Sequence, residues 1–180
     1  TASYDGKGNL LSVTEGGTTT TFTYDSRSRL LTETDGNGTV TAYTYQGNYP
    51  VETKVDGKTI QKITYDACGN RKSLTNGNGA ITTYNYDAKG QLLTITYPTG
   101  GSITYSYDKK GLVKTVADSY GNTTTYTYNG QSDITSVIDS LGNTYRYTYD
   151  QNGNRLSETD PKGNVTRYRY DSMNRLIKTT

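Results

Sequence analysis

Apolar and polar positions alternate along this chain in short bursts with a period of two. Tyr147-Thr148-Tyr149 shows the unit: two rings two residues apart share one face of a strand, and the hydroxyl residue between them takes the other. The same step recurs at Tyr43 and Tyr45, Tyr84 and Tyr86, Tyr105 and Tyr107, Tyr126 and Tyr128, and Tyr168 and Tyr170. Phe22 precedes Tyr24 and Ile63 precedes Tyr65 at the same offset. The middle position holds Ser3, Thr23, Thr44, Thr64, Ser106, Thr127 and Thr148. A second burst opens six residues after the later ring, at Leu10, Leu30, Val51, Leu92, Val113, Ile134 and Leu176; Arg71 and Arg155 interrupt that column. No stretch carries a 3.6-residue period with caps, so the pattern predicts strands and essentially no helix.

The bursts repeat. Anchor tyrosines fall at Tyr4, Tyr24, Tyr45, Tyr65, Tyr86, Tyr107, Tyr128, Tyr149 and Tyr170, spaced 20 or 21 residues apart. Seven are followed directly by Asp: Asp5, Asp25, Asp66, Asp87, Asp108, Asp150 and Asp171, with Gln46 and Asn129 in the other two. Gly follows four residues after the anchor at Gly8, Gly69, Gly90, Gly111 and Gly153. A second Asp follows eleven after it at Asp35, Asp56, Asp118, Asp139 and Asp160, and a second Gly fourteen after it at Gly38, Gly79, Gly100, Gly121, Gly142 and Gly163. Asp opening a turn accepts N–H groups two residues on, and Gly closing it takes a positive φ without a Cβ clash. Each repeat therefore reads as two strands and two tight turns.

Turns this short force antiparallel neighbours, so the expected fold is all-β: nine hairpin repeats of about 21 residues in a meander. So many twisted strands curl, into a spiral sheet, hollow shell or tube. Residues 1–180 are expected to form a single array without a capping element. Its bare edges would pair with further repeats, either along a longer chain or in identical neighbours.

Composition narrows the function. Leu, Ile, Val and Phe total only 28 against 19 Tyr and 34 Thr, which points to strands with a thin core. No apolar run approaches membrane-spanning length. The chain has no His and a single Cys, Cys68, which removes the commonest general base, any disulfide framework and Cys-rich zinc sites. Cys68 sits at a turn position where other repeats carry Lys or Asn. Net charge is +2 with both signs mixed, so no nucleic-acid footprint stands out. Arg146, Arg167 and Arg169 concentrate positive charge late in the chain, on a face expected to be dotted with acidic residues and solvated.

The repeat closely resembles the YD-repeat or Rhs-repeat family, whose core reads Tyr-x-Tyr-Asp-x-x-Gly-Arg-Leu followed by Asp-x-x-Gly-Asn. Tyr147-Thr148-Tyr149-Asp150-Gln151-Asn152-Gly153-Asn154-Arg155-Leu156 is near that pattern, and Tyr168-Arg169-Tyr170-Asp171-Ser172-Met173-Asn174-Arg175-Leu176 almost as near. The third repeat departs most, with Gln46, Tyr49-Pro50 and a shortened turn near Asp56-Gly57. The family includes bacterial Rhs toxins, wall-associated proteins, insecticidal toxin complex C subunits and teneurins. The resemblance implies a sheet that spirals into a shell, enclosing a cytotoxic domain in the toxins, and an extracellular or cell-surface, bacterial setting. No Rhs-associated core segment and no toxin domain is recognisable.

Three other chemistries compete with a structural role. Gly-rich acidic turns such as Asp35-Gly36-Asn37-Gly38 resemble pieces of calcium loops, but each offers a single carboxylate where calcium gathers several. Repeated tyrosines could stack on sugars as an adhesin or carbohydrate-binding face with surface glycans as partners. Paired carboxylates could in principle hydrolyse glycosides, yet the aspartates recur with the repeat as scaffold residues do. The expected protein is a non-catalytic structural wall with no cofactor, no nucleic acid and no membrane span.

Overall fold

The computed structural model describes all 180 residues, Thr1–Thr180, and they contain eighteen strands and no helix. The strands divide between two units, Thr1–Asn85 and Tyr86–Thr180. The first holds β1 (Ala2–Tyr4), β2 (Leu10–Glu15), β3 (Thr18–Tyr24), β4 (Leu30–Thr34), β5 (Val40–Gln46), β6 (Tyr49–Val55), β7 (Lys58–Tyr65), β8 (Arg71–Asn76) and β9 (Ile81–Tyr86), which ends at the boundary. The second holds β10 (Leu92–Thr96), β11 (Ser102–Tyr107), β12 (Val113–Asp118), β13 (Thr123–Tyr128), β14 (Ile134–Ile138), β15 (Thr144–Tyr149), β16 (Arg155–Thr159), β17 (Val165–Tyr170) and β18 (Leu176–Thr179). Within each unit every strand pairs antiparallel with its sequence neighbour, as short connections require.

The hairpins that turn just after an anchor tyrosine carry a bulge at that tyrosine, whereas the alternate hairpins, such as β4 with β5 and β16 with β17, pair without one there. Ser3 faces Ser12 but Tyr4 faces Leu10, leaving Leu11 as the extra residue on its strand. The slip recurs at Tyr24, Tyr45, Tyr65, Tyr107, Tyr128, Tyr149 and Tyr170. The residue six after the anchor thus lies opposite the ring, apolar except at Arg71 and Arg155, and the residue seven after it is the bulged one. In the Tyr45 hairpin, instead, Pro50 lies opposite the ring and Val51 is bulged. A bulge adds local twist and bends its strand, so the repeat writes curvature into its anchor hairpins.

The thin core expected from composition is absent: no side chain, apolar or polar, is fully buried. The sheet is a single layer whose two faces differ in chemistry. One face carries the tyrosines with Ile63, Leu74, Val116 and Val137 in register beside them. The other carries paired hydroxyls, Ser3 with Ser12, Thr23 with Thr32, Thr64 with Ser73, Ser106 with Thr115 and Thr148 with Ser157, each 2.6–2.7 Å apart. Cross-strand hydroxyl pairs of this kind satisfy both partners and stabilise neighbouring strands.

Candidate functional site

The residues singled out by the repeat converge on the strand ends, in one five-residue loop used again and again. In the loop after Tyr149, the Asp150 N–H donates to the Asn154 carbonyl and the Gly153 N–H to the Asp150 carbonyl. Asp150 Oδ1 accepts the N–H groups of Asn152 and Asn154, each at 2.9 Å, while Oδ2 accepts Asn154 Nδ2 at 2.9 Å. Asp5, Asp25, Asp66, Asp87, Asp108 and Asp171 each accept the same two backbone bonds at 2.8–3.0 Å.

The second turn of the repeat uses the same device. Asp35, Asp118, Asp139 and Asp160 accept the N–H groups two and four residues on. Gly38, Gly79, Gly100, Gly121, Gly142 and Gly163 all take left-handed backbone with φ between 81° and 88°. At the corresponding place in three loops the chain uses Ser28, Ser132 and Asn174 instead, with φ of 61°, 75° and 59°, a conformation that strains any residue with a Cβ.

These bonds set the electrostatics. The Asn154 amide and the backbone N–H groups hold the Asp150 carboxyl below its usual value, and the side chains of Asn9, Asn70, Asn122, Asn143 and Asn164 do so for Asp5, Asp66, Asp118, Asp139 and Asp160. For Asp25, Asp35 and Asp171 the backbone N–H groups of Arg29, Thr39 and Arg175 lead. A carboxylate that accepts three N–H bonds is committed to its loop and stays ionised. One loop inverts the pair: Asn129 stands where Asp is usual, and its Nδ2 donates to Asp133 Oδ2 at 2.9 Å.

The anchor tyrosines tie one repeat to the one before. The hydroxyl groups of Tyr45, Tyr65, Tyr107, Tyr128 and Tyr149 donate to the carbonyls of Leu30, Pro50, Leu92, Val113 and Ile134, fifteen residues earlier, at 2.7–3.0 Å. The bonds to Leu30, Pro50, Val113 and Ile134 land beside the bulge of the preceding hairpin. Tyr24, Tyr86 and Tyr170 are half-buried on the same face, while Tyr4 is exposed. Burial pushes the phenols of Tyr107 and Tyr128 above their usual value, with neighbouring Tyr and Asp adding to it. The loops on the anchor side are also laced to one another: Lys7 reaches the Ser26 carbonyl, Gln91 that of Gly111, Lys110 that of Gly130 and Gln131 that of Gln151.

Sequence reading foresaw neither the bulge nor the tyrosine hydroxyl bond. The doubled column of apolar residues, as in Leu10-Leu11 and Leu30-Leu31, was the available signal for the bulge. The arrangement holds shape rather than assembling reactive groups. No three of the Cys, Asp and Glu side chains gather where they could hold a metal ion. Cys68 is exposed in the loop after Tyr65, beside a surface depression of about 310 Å³ lined also by Tyr49, Tyr65 and Asp66.

No curated protein is significantly similar to the chain. Among solved structures it resembles TcdB2-TccC3 lacking the hypervariable C-terminal region, with a TM-score of 0.79 over 97% of this chain at 20% identity. It also resembles TcdB2-TccC3-Cdc42, with a TM-score of 0.80 over 97% of this chain at 20% identity. A Photorhabdus luminescens Tc holotoxin pore gives 0.74 over 89% at 22% identity. The chain spans 12%, 12% and 10% of those three chains, and likeness at this identity shows the fold. The RHS Repeat family profile matches residues 4–40, 65–102, 86–123, 107–144, 128–165 and 149–180, together well over half the sequence, and the chain therefore belongs to the RHS-repeat family.

Proposed function

We propose that this chain is a non-catalytic stretch of wall in an extracellular bacterial shell of the toxin-enclosing type. The observation that carries the reading is the repeated loop. Its turn carboxylates, the groups an enzyme would need, each accept backbone N–H bonds, so they fix strand ends instead of awaiting a substrate. The bulge at the anchor and the hydroxyl bond from one tyrosine to the preceding repeat bend the sheet at recurring places. Likeness of fold to Tc toxin complex structures supports a shell over an open tube. In this reading residues 1–180 act as one array. Its partners are further repeats, of the same or identical chains, along the sheet edges, and an enclosed polypeptide inside.

Electron microscopy of the parent protein, expressed with whatever segments its gene encodes on either side, tests the reading. Closed particles of uniform size with internal density are expected. Long tubes of regular rise would replace the shell with a filament. Small open particles that bind glycans through their tyrosines would replace it with an adhesin.

A further inference from the structure

The two faces of the second unit are not equally charged. In β15, β17 and β18 the positions that share a face with the paired hydroxyls hold Arg146, Arg167, Arg169 and Lys178. Arg146 lies opposite Thr159 and Arg167 opposite Ser157, so the intervening strand contributes hydroxyls to the same patch. Arg169 lies directly opposite Lys178. Like charges in that relation destabilise a sheet, and no side-chain carboxylate pairs with them. The two carboxylates borne by strands of this unit, Asp118 and Glu158, fall at tyrosine-face positions, and Glu158 pairs there with Arg155 at 3.1 Å. Those of the loops are held within their own turns or, for Asp133, by Asn129. All four cations are exposed, and none forms an ion pair. The acidic residues expected on this face from the sequence lie elsewhere.

We propose that this hydroxyl face of β15–β18 is a docking surface for an extended acidic polypeptide segment. Arg167 and Arg169, two residues apart on one strand, are spaced about 6.8 Å, the spacing of alternate side chains in an extended peptide. Asp or Glu at every second position of such a segment therefore meets the guanidinium groups in register, where planar forks bind carboxylates bidentately. Ser157 and Thr159 offer hydroxyls between the charges. Every Tyr-x-Tyr pair of the unit lies on the opposite face, so this one has no aromatic platform for sugar rings or nucleobases. The inference stands whether or not the chain walls an enclosed space.

Fluorescence anisotropy with a labelled ten-residue peptide of alternating Glu and Ser, at low salt, tests it on the 180-residue chain. The peptide binds, binding falls as salt rises, and the matching Gln-Ser peptide does not bind. Combined R146T, R167T and R169T, chosen because Thr suits a strand, weakens binding by about tenfold or more, and R167T alone by about threefold. K62T, on the same face of the first unit but paired there with Glu52, leaves affinity unchanged. Absence of binding, or binding indifferent to both Arg variants, overturns the proposal. Tighter binding of a sulfated polysaccharide or of duplex DNA than of the acidic peptide overturns it too, by assigning the patch to another class of partner.

Discussion

The two units are built from one repeat but close their strands differently. In the second unit every hairpin turns through the five-residue loop, and only Tyr97–Gly101 lacks an Asp or Asn to open it. The first unit replaces three such loops with two-residue turns. Gly16 and Gly17, with φ of 57° and 82°, join β2 to β3; Gly47, with φ of 59°, leads Asn48 between β5 and β6; and Asp56 and Gly57, with φ of 48° and 78°, join β6 to β7. Left-handed residues of this kind match the twist of flanking strands, so the connection shortens while the meander continues. The faces differ as well. Lys54 and Lys62 of the first unit approach Glu52 at 3.4 and 3.5 Å, whereas Arg146, Arg167, Arg169 and Lys178 on the hydroxyl face of β15–β18 have no such partner. A repeat thus tolerates changes in how its ends are joined, provided register is kept, and leaves its hydroxyl face free to vary.

Acid should separate the two kinds of connection most strongly. The lowered carboxyls of the five-residue loops stabilise the folded chain fully above their unfolded value, about 3.9, and that stabilisation disappears as pH falls through their lower folded values. Hydrogen exchange on lowering pH below about 4 should therefore show protection lost first around loops such as 66–70 and 150–154. The turns at Gly16-Gly17 and Gly47-Asn48, which use no carboxylate, should hold longer. Simultaneous loss everywhere would mean that the sheet melts as one and the connections are not separate weak points.

Gly142→Val puts a β-branched residue at φ of 82° and should cost about 2 kcal/mol in urea unfolding. Tyr128→Phe removes the hydroxyl bond to the Val113 carbonyl and should cost about 1 kcal/mol while leaving the ring in place. An unchanged midpoint would reduce that bond to a consequence of packing. Ser132→Gly relieves a left-handed φ of 75° and should stabilise by about 0.5–1 kcal/mol, the smallest of these effects.

Much of this was readable in the residues. Tyr-x-Tyr two apart, with Asp and Gly at constant offsets, specifies strand, turn and strand without reference to anything distant, because a five-residue loop closes on its own backbone. Asp150 and Asn154 find each other four residues apart in any context. What escaped was everything that depends on a neighbour. Leu10-Leu11 is the same dipeptide whether or not a residue slips, so the bulge emerges only when Ser3 meets Ser12 and Tyr4 meets Leu10. The hydroxyl of Tyr128 on β13 finds the Val113 carbonyl fifteen residues back only after β12 and β13 have paired.

The sequence by itself therefore determined the repeat, its strands and its turns, since their energetics are local. Tertiary structure decided which residues share a face. Glu158 and Arg167 are close in sequence and of opposite charge, yet register puts them on opposite sides of a single layer. Side chains alternate with a period of two along each strand, and a bulge resets that alternation, so only the pairing of strands reveals that the late arginines stand together without an acid among them.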